Sequence, residues 1–190
     1  IVATYMATKP QLAVHIGCER LEHTLNTFPA HSAPVAAAHN EIAATLVALD
    51  DLEGAEKEFR QAFDMFVEIG HVGSTAFTTA NNLGYTYFRM ADEKMPPKLK
   101  KQRYSLLRFK LPPECVELLE NASDMFHFVI EHRHDADIKV VADALNNLGT
   151  VCLYRGRFFQ ACESITASLQ ATRGIFSDEH PDRASALHNL

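Results

Sequence analysis

The side chains best suited to chemistry in this chain are its ten histidines, four cysteines and 24 carboxylates. The densest grouping is "EHRHDAD" at 131–137, where His132, His134, Asp135 and Asp137 offer two imidazoles and two carboxylates, a donor set that could hold a metal ion. Their spacing matches no established helix or loop site, and a His near a helix C-terminus is favoured by the dipole without any metal. "HPD" at 180–182 reads as a turn and a helix start. Cys18, Cys115, Cys152 and Cys162 have no C-x-x-C spacing, so they read as free thiols of a reducing compartment. There is no G-x-S-x-G, no H-E-x-x-H, no Gly-rich phosphate loop and no paired-carboxylate cleft. The reading is non-enzymatic, with no catalytic residue, cofactor or metal.

The other residues spaced for chemistry are amides. "ANNLGYTYFRM" runs from Ala80 to Met90, "ALNNLG" spans 144–149, and a broken form, "ALHNL", spans 186–190. Asn is a mediocre helix former, so pairs of it inside helical patterns ask for a reason. An amide both donates and accepts, and a column of amides can bond a peptide backbone without selecting side chains. The candidate binding residues carried by these phrases and their counterparts are Asn40, with Ala44 beside it, then Asn81, Asn82, Tyr85 and Phe88, then Asn146, Asn147, Thr150 and Tyr154, and last His188 and Asn189. Tyr85, Phe88 and Tyr154 would add amphipathic contact area. The alternative is that the amides bond neighbouring helices or loops and meet no ligand.

The elements that must position these residues are helices, because no alternating strand-type run competes with the 3.6-residue pattern. Leu145, Leu148, Gly149 and Cys152 form one stripe, and Ala161 follows Gly149 by 12 residues, with Ile165 and Ser168 beyond it. Ala55, Phe59 and Ala62 follow Ala43 at the same spacing; Ala122, Phe126 and Val129 form another such set, and Val14, Cys18 and Leu21 a poorer one. A small residue on a first helix facing a small residue on a second lets two backbones approach, while the bulky ones fill the gaps. A second column, Phe63, Ile130 and Leu169, reaches towards the next pair. Ser32 with Pro34, Ser74, and Asp135 or Asp137 are plausible caps, Pro181 a helix start, and Gly70 and Gly174 natural stops.

This pattern resembles the tetratricopeptide repeat, in which Leu-Gly, an aromatic, an Ala and a bulky apolar residue recur across a helix pair. The last fifty residues resemble the longer units of kinesin light chains, on "ALNNLG" and "HPDRASALHNL" with a 42-residue period between Leu148 and Leu190. The resemblance implies an all-α solenoid of antiparallel helix pairs, a single domain over 1–190. Repeats fall near 36–69, 77–134 and 142–175, with partial ones at 1–28 and 181–190. It also implies that the flanking stripe of each first helix lines a concave groove. The Lys and Arg residues of a carboxylate-clamp groove are missing from these positions. Cargo adaptation does not follow, because the fold serves many roles.

Ala122 follows Gly84 by 38 positions where the second residue of the other pairs follows by 12. The excess falls in "ADEKMPPKLKKQRYSLLRFKLPP", 91–113, which carries Lys94, Lys98, Lys100, Lys101, Arg103, Arg108 and Lys110 against Asp92 and Glu93. That is +5 within a chain of formal charge −6. A short basic amphipathic helix over 97–111 would suit an acidic protein partner or, less well, a membrane surface; a solvated loop folded back on the helices is the plainer outcome.

With 47% apolar residues the chain can bury a core, and no apolar run is long enough to span a bilayer. The net negative charge speaks against nucleic acid. The expected role is a protein–protein scaffold or adaptor in an intracellular, cytoplasmic setting, taken from a longer chain. The alternatives are a subunit buried in a large assembly and a helical arm of a larger enzyme or signalling protein.

Overall fold

Close-packed helix pairs need a tight turn between first and second helix, and the computed structural model, which describes residues 10–70, 73–97, 110–175 and 180–190, has such turns. Eight helices and no strand occur among the described residues: α1 (Pro10–Thr27), α2 (Ala33–Ala48), α3 (Leu52–Glu68), α4 (Ser74–Lys94), α5 (Pro113–Glu131), α6 (Ile138–Tyr154), α7 (Phe158–Ala171) and α8 (Pro181–Asn189). Two compact units, Ile1–Thr86 and Tyr87–Leu190, divide the chain within α4. No described helix is long and apolar enough to cross a membrane.

The α2–α3 and α6–α7 turns are the same device. The Asp50 and Asp51 N–H groups donate to the Val47 and Leu46 carbonyls at 3.1 and 3.0 Å; Gly156 and Arg157 donate to Leu153 and Cys152 at 3.0 and 2.8 Å. This double return closes a helix only if one residue is left-handed. That residue is Asp50, with φ 66°, in one turn and Gly156, with φ 70°, in the other. Asp51 then caps α3, its Oδ1 accepting from the Gly54 N–H at 3.0 Å. Gly70 (φ 63°) follows the end of α3, and Gly174 (φ 79°) lies just past the end of α7. Asp137 caps α6 by accepting from the Lys139 N–H at 2.7 Å, and Pro34 sits in the first turn of α2 after Ser32.

In the first unit α3 buries Ala55, Phe59, Ala62 and Phe66, a four-three-four spacing that puts them on one face, while Glu53, Lys57, Arg60 and Asp64 face solvent. Phe66, Met65, Val35, Ala36 and Ala76 form a core with Leu21 and Ala33 against it. Each large side chain fully buried there contributes roughly 1.5–3 kcal/mol. His39, buried in α2, bonds Glu58 of α3 through Nδ1 at 2.6 Å. The expected α1 set of Val14, Cys18 and Leu21 needs correction: Cys18 is exposed and Ala13 is buried. The close approach is made by Gly17, where a Cβ would lie 3.0 Å from Ile42 Cγ1, and this rotates the packed stripe by one residue.

In the second unit α5 buries Cys115, Leu119, Ala122, Phe126 and Val129. Helix α6 buries Val141, Ala142, Ala144, Leu148, Gly149, Val151, Cys152 and Tyr154, and α7 buries Ala161, Ile165 and Ser168. Ala161 abuts Gly149 as the spacing requires: a Cβ at Gly149 would stand 3.2 Å from the Ala161 carbonyl oxygen. The Ser168 hydroxyl donates to the Ala142 carbonyl at 2.7 Å, fastening α7 to α6. Helix α8 packs on both α6 and α7; its Arg183 Nη1 donates to the Leu169 carbonyl at 3.2 Å. The Phe63, Ile130 and Leu169 column is half-buried.

Candidate functional site

Two candidate surfaces follow from the residues, the amide-bearing faces of the first helices and the basic stretch. In the first unit Asn40 lies half-buried on α2, its Oδ1 2.9 Å from the Thr79 hydroxyl of α4, and that hydroxyl is also 2.8 Å from the Thr75 carbonyl. Ala44, one turn on, is exposed. Asn81 and Asn82 are half-buried on α4, and Tyr85 is 41% exposed.

In the second unit the amides form a network. Asn189 Nδ2 of α8 donates to Asn146 Oδ1 of α6 at 3.1 Å and lies 3.4 Å from Thr150 Oγ1. The Thr150 hydroxyl in turn donates to the Asn146 carbonyl at 3.1 Å. Among the described residues, Asn146 Nδ2 and Asn189 Oδ1 make no hydrogen bond. Successive first helices are therefore tied by amides in both units, Asn40 to Thr79 and Asn146 to Asn189. Asn147 is half-buried and His188 exposed.

Tyr154 departs from expectation. Its side chain is buried, its hydroxyl donates to Asp92 Oδ1 at 2.7 Å, and it meets the half-buried Phe88 edge-to-face with centroids 5.0 Å apart. These two rings pack on each other rather than forming an open aromatic platform. The phenol needs a partner once its ring is buried, and Asp92 supplies it.

Of the basic stretch, Lys98, Lys100, Lys101, Arg103 and Arg108 lie outside the described residues, as does most of the expected 97–111 helix. Lys110 is described and exposed. The stretch leaves and rejoins the helices at neighbouring points: Lys94 Nζ is 3.6 Å from Glu114 Oε2, and the Cys115 thiol reaches the Ala91 carbonyl at 3.5 Å. Sequence reasoning missed that Lys110 shares a surface cleft with Arg155 and Arg157. The signal was the pair of arginines astride the Gly156 turn.

Two of the groups that could have done chemistry have structural work. His132 Nδ1 donates to the Phe128 carbonyl at 2.8 Å at the end of α5, and Asp137 caps α6. No group of three or more His, Cys, Asp or Glu among the described residues could hold a metal. The four cysteines are free, Cys115 and Cys152 buried and Cys18 and Cys162 exposed. Burial raises the Cys152 thiol above its ordinary value, against a smaller lowering by Arg157 and Arg155.

Residues 140–190 match the tetratricopeptide repeat family model. No curated protein matches the chain. Among solved structures, it is similar to a protein of Podosopora anserina described as a kinesin light chain with nearly identical TPR-like repeats. Identity is 17% over 100% of this chain and 80% of that one, with a TM-score of 0.60. A point variant of the same protein gives 18%, 100% and 79%, and a TM-score of 0.62. BtubC (BKLC) from P. vanneervenii gives 20%, 91% and 60%, and 0.64. These likenesses bear on the fold: the chain has the all-α architecture of TPR-like helix pairs, and its last three helices carry the repeat signature.

Proposed function

We propose that this chain is a non-catalytic protein-interaction module that receives an extended peptide or a partner helix along the amide-bearing faces of its first helices. The basic stretch at 91–113 is a second docking surface. The observation that carries the reading is the Asn146–Asn189 pair. The two amides hold each other, and Thr150 lies against the Asn189 amide, yet one donor, Asn146 Nδ2, and one acceptor, Asn189 Oδ1, are left unspent among the described residues. A peptide group presents one carbonyl and one N–H, the complement of that pair. Because the amides are already fixed on packed helices, binding costs little ordering entropy on this side. The non-catalytic part rests on the motifs the sequence lacks and on the capping work of His132 and Asp137.

The test is to pan a random linear dodecapeptide library against the 190-residue chain and titrate an enriched peptide by fluorescence anisotropy. Replacing both Asn146 and Asn189 with Ala should weaken binding at least about tenfold, the loss of one or two hydrogen bonds. N-methylating a central amide of the peptide should weaken it similarly. Equal affinity of the two proteins would remove the groove from the account. A second reading, a subunit held inside a large assembly, is favoured by Phe159 of α7, which is 83% exposed. It predicts that Phe159→Ser raises solubility without touching peptide affinity.

A further inference from the structure

We propose that the cleft beside the first turn of α5 and the α6–α7 turn is a docking site for a short peptide with an apolar centre and acidic flanks. The cleft measures about 610 Å³ and lies on the second unit, within the size range of ligand-binding clefts. Leu111, Pro113 and Val116 give it an apolar wall. The α6–α7 turn contributes Arg155 and Arg157, and the returning end of the basic stretch contributes Lys110.

The charges decide the occupant. Arg155 is only 15% exposed at its side chain and donates from Nη2 to Glu120 Oε1 at 2.7 Å, so these two cancel. Lys110 and Arg157 are exposed and have no ion pair or side-chain hydrogen bond among the described residues; Glu117 is the one unpaired carboxylate lining the cleft. Two open cations therefore stand against one open anion. Pro112 gives the first turn of α5 no side-chain cap, while Glu114 in that turn offsets part of the dipole's positive end, so the balance rests on Lys110 and Arg157. An apolar side chain against Leu111, Pro113 and Val116, with carboxylates towards Lys110 and Arg157, fits both the shape and the charge. The chain's own preceding residues, with Lys98, Lys100, Lys101, Arg103 and Arg108, carry the opposite sign to such an occupant.

This inference rests on the reading of 91–113 as a docking surface only through Lys110. Its test uses two capped hexapeptides, Asp-Glu-Leu-Leu-Asp-Glu and Lys-Lys-Leu-Leu-Lys-Lys, titrated by calorimetry into the 190-residue chain at low and at physiological salt. The acidic probe should bind, more weakly as salt rises, and Arg157→Glu or Lys110→Glu should each reduce affinity about tenfold. Asn146→Ala should leave that affinity unchanged. Equal binding of both probes, no binding of the acidic one, or indifference to both charge reversals overturns the proposal. Binding lost with Asn146→Ala and not with Arg157→Glu moves the peptide to the amide face, overturning the cleft and leaving the earlier reading intact. A third protein, with 98–109 replaced by a Gly-Ser linker, covers the remaining occupant: acidic-probe binding seen only there means that the chain's own segment fills the cleft, which also overturns it.

Discussion

Gly149 and Ile165 stand so close that no side chain can be added at the first without displacing the second. A Cβ at Gly149 would lie 2.4 Å from Ile165 Cγ1 and 3.1 Å from its Cδ1, with the Ala161 carbonyl oxygen 3.2 Å away. The contact sets how closely α6 and α7 approach at this point.

Gly149→Ala therefore tests the packing directly. Alanine gains about 1 kcal/mol of helix propensity over glycine, while overpacking costs about 1–3 kcal/mol. With backbone on one side of the new methyl and a fully buried Ile165 on the other, overpacking should win, and a urea midpoint should fall. Ile165→Ala alone should cost about 2–5 kcal/mol through its cavity. Combined with Gly149→Ala it should cost less than the sum, because the methyl enters the vacated space. Additive losses would mean that the two residues do not share that space.

The second test uses the two turns of identical hydrogen bonding. Asp50 holds φ 66° where its counterpart Gly156 holds φ 70°. Left-handed backbone costs an ordinary L residue about 1–2 kcal/mol, less for Asp. Asp50→Gly relieves that strain but adds unfolded-chain entropy, so it should change the midpoint little, within about 0.5 kcal/mol of neutral. Gly156→Ala has no relief and should destabilise by about 1 kcal/mol. If Gly156→Ala were as neutral as Asp50→Gly, the α6–α7 turn would not be the left-handed return described.

Local rules made most of this legible in the sequence. The three sets Ala55-Phe59-Ala62, Ala122-Phe126-Val129 and Ala161-Ile165-Ser168 are all buried, because close helix packing imposes small and large residues at fixed intervals. Asp137 and the glycines at 70 and 174 were readable because caps and left-handed stops depend on one residue's own chemistry. What failed was non-local. Tyr154 was expected to be open, but its hydroxyl partner Asp92 lies 62 residues earlier, and no local spacing reports that. The register of α1 slipped because Gly17 packs through having no side chain, which leaves no apolar letter to count. The cleft was illegible for the same kind of reason: Lys110 and Arg157 meet only through the fold.

The last test separates the cysteines by pH. Burial favours the neutral thiol of Cys152, and Arg157 and Arg155 offset this only in part, so its thiolate forms at higher pH than that of an ordinary thiol. At any given pH, Cys152 holds less thiolate, the reactive form. In a brief iodoacetamide pulse followed by mass spectrometry, the exposed Cys18 and Cys162 should label before the buried Cys152, whose rate should gain only at more alkaline pH than that of an ordinary thiol. The linkage has a definite sign. A thiol whose value is raised in the folded state contributes stability that is fully present below its unfolded value, and that contribution is lost as pH rises through the folded one. Cys152→Ala should therefore flatten the alkaline end of the stability curve while lowering its plateau, since it also removes a buried side chain. Labelling of Cys152 as fast as Cys162 in the folded protein would show that its thiol is not buried as described.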